Sequence, residues 1–238
     1  IKTNKPDGPV PSTGLGCATA VDFPADLSRL LKEAEDHMYS HKLINADSSR
    51  NALVASLQRT LSERSYETEE HARNLEQLAR QLGGRLGLNA AQLNTLALIA
   101  LLHDIGKVAV PEHILEKPGP LRPEEWKIMK RHCKSGYRIV ISSPDLIDVA
   151  EGILSHHERW DGSGYPRGLA GEEIPLLARI ISLVDAYDAM TSDRPYRAAM
   201  THAEALAEIK ACSGTQFDPL LAQEFLGMLC PVNEKNPG

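Results

Sequence analysis

The chain has 238 residues, enough for one large domain or one domain plus a fragment. Apolar residues make up 42% and charged residues 24%, the balance of a globular fold with a buried core and not of a disordered segment. With 26 basic and 32 acidic side chains the net charge is −6 and there is no long basic block, which argues against a duplex nucleic-acid surface. Aromatics, at 5%, are too few for a base-stacking platform. The longest apolar run, near Leu96–Leu102, is far short of the roughly 18 residues of a membrane span, so no membrane partner is expected for this segment. Cys17, Cys133, Cys212 and Cys230 are scattered without a C-x-x-C pair and read as reduced thiols of a cytoplasmic protein. The chain opens on Ile, without a charged-then-apolar leader, and is read as part of something longer.

Residues 1–23 are rich in Gly, Pro, Ser and Thr, with one strand-like piece around Leu15–Val21. From Ala25 to Leu43 apolar residues recur at three- and four-residue steps, which predicts a helix, and Asn45–Ser49 is a polar break. A second helix carries Leu53, Leu57 and Leu61 four residues apart. A third is expected from about Tyr66 to Leu82, ending at Gly83-Gly84. Asn89 followed three residues later by Gln92 predicts a capped helix through Leu102. Pro123 with Glu124 and Glu125 marks another entry, and His132 is expected on the helix it opens. Thr201 with Glu204 forms a further capping box, and Asp218-Pro219 opens the last helix. The long irregular stretch is Trp160 to Pro175, with four glycines, and loops of that length in compact domains are commonly functional. The fold class is therefore all-α, a helical bundle with one glycine-rich loop, preceded by a short α/β fragment.

Several metal-ligand side chains fall near apolar helical stretches. His103-Asp104 ends one helix, His156-His157 precedes the glycine loop, and Asp185 lies on the apolar helix Leu176–Met190, where an unpartnered carboxylate is costly to bury. Glu67 and His71 stand four apart on one helix face, although Glu67 also belongs to an acidic run with Glu63, Glu69 and Glu70 that a solvated face explains as well. Taken singly, each histidine is an ordinary surface or core residue; jointly, the set points to a metal centre. Imidazoles with carboxylates suit Fe, Mn, Zn or Ni in preference to Ca or Mg.

His103-Asp104-x-Gly106-Lys107, then His156-His157-Glu158-Arg159-Trp160-Asp161-Gly162-Ser163-Gly164-Tyr165-Pro166, resemble the HD-GYP branch of the HD phosphohydrolases. Ile174-Pro175, Asp185-Ala186-Tyr187-Asp188 and Arg194-Pro195-Tyr196-Arg197 continue the pattern, which spans roughly Ser62 to Leu229. The resemblance implies an HD-type bundle that hydrolyses cyclic di-GMP to linear pGpG, and on to GMP, by attack of a metal-activated hydroxide on phosphorus. It implies two or three divalent ions, iron or manganese, held by His71, His103, Asp104, His132, His156, His157 and Asp185, with Asp104 bridging and Glu67 holding the third. Asp104, Lys107 and Asp188 are the expected catalytic group, Asp188 by orienting a histidine or the water. Lys107, Gly164, Tyr165, Arg194 and Arg197 are the expected substrate contacts. A hybrid cyclic dinucleotide such as cyclic GMP-AMP is the alternative substrate, and a low-turnover nucleotide-sensing adaptor the alternative of another class. His37, His41, His113 and His202 match no ligand position, and Cys133 is expected as a buried thiol.

The first 45 residues, with Leu30-Leu31, Ala34-Glu35-Asp36, Met38-Tyr39 and Lys42 after Ser12–Ala18, resemble the end of a GGDEF-type domain. The organisation this implies is a GGDEF-like remnant at 1–47, a connector helix at 48–63 and the HD-GYP domain at 64–238. The connector is expected to pair with a second copy in a homodimer, and the rest of a GGDEF-like or sensor domain to lie upstream.

Overall fold

From residue 49 onward the sequence alternates apolar helical stretches with short polar breaks. The computed structural model, which describes residues 49–64, 69–193 and 198–229, turns these stretches into helices in the same order. They are α1 (49–64), α2 (Glu69–Arg85), α3 (Ala90–Leu102), α4 (Glu112–Leu115) and α5 (Pro123–Met129). Then follow α6 (His132–Ile141), α7 (Ala150–Ser155), α8 (Leu176–Thr191), α9 (His202–Ala211) and α10 (Pro219–Leu229). Short 3-10 turns at Ile105–Ala109, Pro144–Val149 and Gly171–Glu173 join them. Among the described residues there is no strand beyond isolated bridges, so the all-α expectation is borne out. The expected N-terminal strand and helix, Glu67, Arg194, Arg197, Cys17 and Cys230 lie outside the described residues. The chain divides into two compact units, Ile1–Leu53 and Val54–Gly238, and the second carries α2 through α10.

α3 and α8 form the centre because each carries a long, nearly continuous apolar stretch. Leu96, Ile99 and Leu102 of α3, and Ala178, Ile180, Ile181, Leu183 and Val184 of α8, are essentially fully buried. α2 is amphipathic, and its Leu75, Ala79 and Leu82, at helical spacing, cover both central helices. α6 and α7 pack on each other and close one side, while α9 and α10 close another, with Phe225 buried.

The caps read from sequence are present. Asn89 accepts the Gln92 N–H at 3.0 Å while the Gln92 side chain accepts the Asn89 N–H at 3.0 Å. Thr201 and Glu204 repeat the device at α9, and Asp218 Oδ1 accepts the Leu220 N–H at 2.9 Å at the start of α10. Two boundaries differ from expectation. Gly83-Gly84 does not end α2, which continues to Arg85 and stops at Gly87, whose φ is +74°. The reason is packing: a Cβ on Gly83 would lie 2.9 Å from Leu93 Cδ2 and 3.0 Å from Leu96 Cδ2, so this glycine lets α3 approach. Likewise His132 is not on the Pro123 helix. α5 stops at Met129 through the tightened Arg131 N–H to Ile128 C=O bond of 3.0 Å, and His132 is the first residue of α6.

Candidate metal centre

Three histidines solve one local problem in the same way. A helix end leaves its last carbonyls without partners. His103 follows α3 and its Nδ1 lies 3.0 Å from the Ala100 carbonyl; His156 follows α7 and its Nδ1 lies 2.7 Å from the Ile153 carbonyl. His132 follows the end of α5, with Nδ1 2.7 Å from the Met129 carbonyl. A carbonyl only accepts, so in each ring Nδ1 carries the proton and Nε2 presents its lone pair inward. The early stop of α5 thus matters chemically, because it frees the carbonyl that orients His132.

These lone pairs converge on Asp104, which the structure buries to 5% exposure. Asp104 Oδ1 is 3.2 Å from His132 Nε2 and 3.8 Å from His156 Nε2, and those two nitrogens are 3.3 Å apart. His157 completes this group of four donors. Asp104 Oδ2 faces the other way, 3.3 Å from His103 Nε2 and 2.6 Å from Lys107 Nζ. Acceptors packed this closely repel one another unless protons or a cation sit among them. Burial opposes the protons: it pushes His132 below the ordinary histidine range, His156 well below it, and His157 down to about 4. A cation fits, and the imidazole-carboxylate donors suit a transition metal.

A second group of donors comprises His71, His103 and Asp185. His71 lies in the first turns of α2, where no freed carbonyl serves its ring. A carboxylate does so instead: Asp188 Oδ2 accepts from His71 Nδ1 at 2.6 Å, which turns Nε2 toward Asp185 Oδ1 at 3.7 Å. Asp188, one helical turn beyond Asp185 and 4% exposed, thus holds the ring of His71. The structure brings together His71, His103, Asp104, Lys107, His132, His156, His157, Asp185 and Asp188. His113 and His202 are exposed, as expected, and His202 Nδ1 is 2.6 Å from the Tyr187 hydroxyl. Cys133 is a buried free thiol, and burial pushes its pKa up.

Two groups essential to this geometry were not singled out from sequence. Glu158, 2% exposed, accepts the backbone N–H groups of Arg167 at 2.7 Å, Gly168 at 3.0 Å and Leu169 at 3.1 Å, and so folds the glycine loop back on the histidine pair. Its signal was an acid directly between the ligands and a Gly-rich stretch. Gly106 is the other: a Cβ there would collide with the His132 carbonyl and the Gly136 nitrogen, so only glycine lets the Asp104 turn lie against α6. Gly164, expected as a substrate contact, has a packing duty too, since its Cβ would collide with Arg159 N and Glu158 Cα. Tyr165 stands at the mouth, its ring centroid 4.9 Å from that of His157 and 6.5 Å from that of His132.

Residues 55–221 match the family model described as HD domain. The chain belongs to the HD-domain family. The likeness read from the motifs is thereby borne out, while the stretch expected to be a GGDEF-like remnant precedes the matched residues. A cyclic di-GMP phosphodiesterase of Thermotoga maritima is 43% identical to this HD-domain protein over 165 residues, covering 68% of this chain and 45% of the relative. The 3'3'-cGAMP-specific phosphodiesterase 2 of Vibrio cholerae is 34% identical over 224 residues, covering 90% of this chain and 43% of the relative. The chain thus spans less than half the length of the curated relatives it matches. Among solved structures, a cyclic GMP-AMP-specific phosphodiesterase of V. cholerae superposes with a TM-score of 0.57 at 24% identity, over 74% of this chain and 48% of that one. That likeness concerns the fold. No described helix of the HD-domain protein is long and apolar enough to cross a membrane.

Proposed function

We propose that this HD domain is a metal-dependent phosphodiesterase that hydrolyses cyclic di-GMP to linear pGpG and then to GMP. The observation that carries the reading is Asp104, whose Oδ1 faces His132 and His156 while Oδ2 faces His103. A carboxylate so placed suits two ions that act on one phosphodiester. In this reading Asp104, His132, His156 and His157 hold one ion, Asp104, His71, His103 and Asp185 hold the second, and Glu67 serves a third; the metal is iron or manganese. Such ions supply Lewis acidity toward the phosphoryl oxygens and a lowered pKa for a neighbouring water.

The remaining work falls to this chain's own side chains. Asp188 keeps the proton of His71 on Nδ1, so that Nε2 stays a donor of electrons. Lys107, its ammonium 2.6 Å from Asp104, takes a non-bridging phosphate oxygen. Tyr165 offers its ring to a guanine, with the loop held by Glu158 and made close by Gly164, and Arg194 and Arg197 take the phosphates as forked donors. The 43% identity to a relative named for cyclic di-GMP hydrolysis favours that substrate. A second reading, hydrolysis of cyclic GMP-AMP, draws on the relative of that specificity that aligns over 90% of the chain. Helix α1 as a connector between two copies, a GGDEF-like remnant at 1–47 with its domain upstream, and a cytoplasmic location, in keeping with the free thiols of Cys133 and Cys212, complete the proposal.

The test is a product time course with protein purified anaerobically and loaded with Fe(II) or Mn(II). Conversion of cyclic di-GMP through pGpG to GMP is the expected result. Accumulation of pGpG alone removes the third ion at Glu67 from the proposal. Cleavage of cyclic GMP-AMP only moves the substrate to the second reading. No product from either, with binding intact, leaves a sensing module.

A further inference from the structure

The chain as a whole is acidic, yet between Glu125 and Asp145 it contains no acidic residue and five cations: Lys127, Lys130, Arg131, Lys134 and Arg138. They are spread over twelve positions, so they form no block in the sequence. Helix geometry gathers three of them. α6 buries His132, Cys133, Gly136 and Val140 on one side, which places Arg131, Lys134 and Arg138 together on the other. All five are exposed, and among the described residues none forms an ion pair. The neighbouring loop arginines are engaged: Arg159 with Asp161 and Gln216, Arg167 with Glu151.

This face leads to the metal centre. Lys130 Nζ lies 4.8 Å from the centroid of the Tyr165 ring, and that ring lies 4.9 Å from the His157 ring. His132 belongs to the same helix as Lys134 and Arg138, and at a rise of 1.5 Å per residue Arg138 is only about 9 Å along the axis from it. The Debye length is about 30 Å at 0.01 M salt and about 10 Å at 0.1 M, so these charges reach the mouth at low salt and are screened as the salt rises. We propose that the Lys130-Arg131 turn and the exposed face of α6 form an electrostatic entry surface that captures the dianionic cyclic dinucleotide and delivers it past Lys130 to Tyr165. The proposal rests on the cyclic dinucleotide as substrate class and adds how that substrate arrives. The one-helix width suits a small anion, and the acidity of the remaining chain repels an extended polyanion.

The experiment is stopped-flow association of a fluorescent cyclic di-GMP analogue with the metal-loaded chain, at about 20 and about 200 mM NaCl. The variants are Lys134→Gln with Arg138→Gln, on the side of α6 opposite its buried His132, and Lys210→Gln on α9 as a neutral control. For the parent and the control, the association rate falls about tenfold across that salt range. For the double variant it starts several-fold lower, falls about threefold or less, and meets the parent at high salt. An unchanged salt slope in the double variant overturns the proposal. So does an effect confined to the dissociation rate, which marks a contact site and not steering. A parent that binds with the expected salt slope but releases no product overturns the hydrolase reading alone, whereas a parent that does not bind the analogue overturns both.

Discussion

The two halves of the metal centre are built by different means. In the half formed by Asp104, His132, His156 and His157, the rings of His132 and His156 are at most 2% exposed and are oriented by main-chain carbonyls that helix ends leave vacant. In the half formed by His71, His103 and Asp185, the His71 and Asp185 side chains are 14% and 23% exposed, and His71 depends on another side chain, Asp188. Backbone orientation survives any substitution that leaves the helices in place. Side-chain orientation rests on one carboxylate. The first half is the fixed one, and the second is where a single change can alter the chemistry without altering the fold.

The largest effect is expected where the halves meet. Asp104→Asn removes the charge proposed to serve both ions and is expected to lower hydrolysis by about 10³-fold or more, with metal content reduced in elemental analysis. Loss confined to one ion would show that Asp104 serves a single half. Asp188→Asn attacks only the second half. It is expected to cost about 10- to 100-fold in activity or metal affinity while the thermal midpoint stays near that of the parent. A fall in midpoint as large as that of a core substitution would mean that the Asp188 contact is part of the packing.

Glu158→Gln tests the support of the first half. Oε1 accepts the Arg167 N–H and Oε2 accepts those of Gly168 and Leu169, and an amide in its place keeps one acceptor oxygen and turns N–H donors on the other side. A loss of about 1–3 kcal/mol in urea unfolding is expected, with KM raised more than kcat is lowered as the Tyr165 loop loosens. The smallest effect is the pH dependence of the metal-free protein. Burial holds His132, His156 and His157 below the ordinary value of 6.5, His157 at about 4, so the unfolded chain binds more protons than the folded one in that interval. Stability is therefore complete above about pH 6.5 and declines as the pH falls toward 4. Bound metal moves the decline to lower pH, because the ion competes with those protons. Equal profiles for the metal-free and loaded forms would locate the ions away from these histidines.

Much of the helical frame was legible from local chemistry. Asn89 with Gln92, Thr201 with Glu204, Pro123 and Asp218-Pro219 each act within four residues of the helix end they mark, so each reads the same in the sequence and in the fold. Gly83-Gly84 misled because glycine signals two things, a chain break and a close approach, and which applies depends on Leu93 and Leu96 of the neighbouring helix. His132 misled for a related reason: the two-residue turn that separates α5 from α6 carries neither Gly nor Pro. Glu158 and Gly106 were overlooked because their partners, a later loop and the backbone of another helix, are far along the chain.

By itself, the sequence determined which donors exist and in what order. Donor type is a property of each residue, and helix starts are set by neighbours within one turn. Only the tertiary structure decided that the two oxygens of Asp104 face different groups of donors, that freed carbonyls at three helix ends set the ring protons, and that Arg131, Lys134 and Arg138 lie on the exposed side of α6. Those outcomes depend on how α2, α3, α6, α7 and α8 pack, because close approach between distant segments is settled by the shapes they present to one another, which no local window of sequence contains.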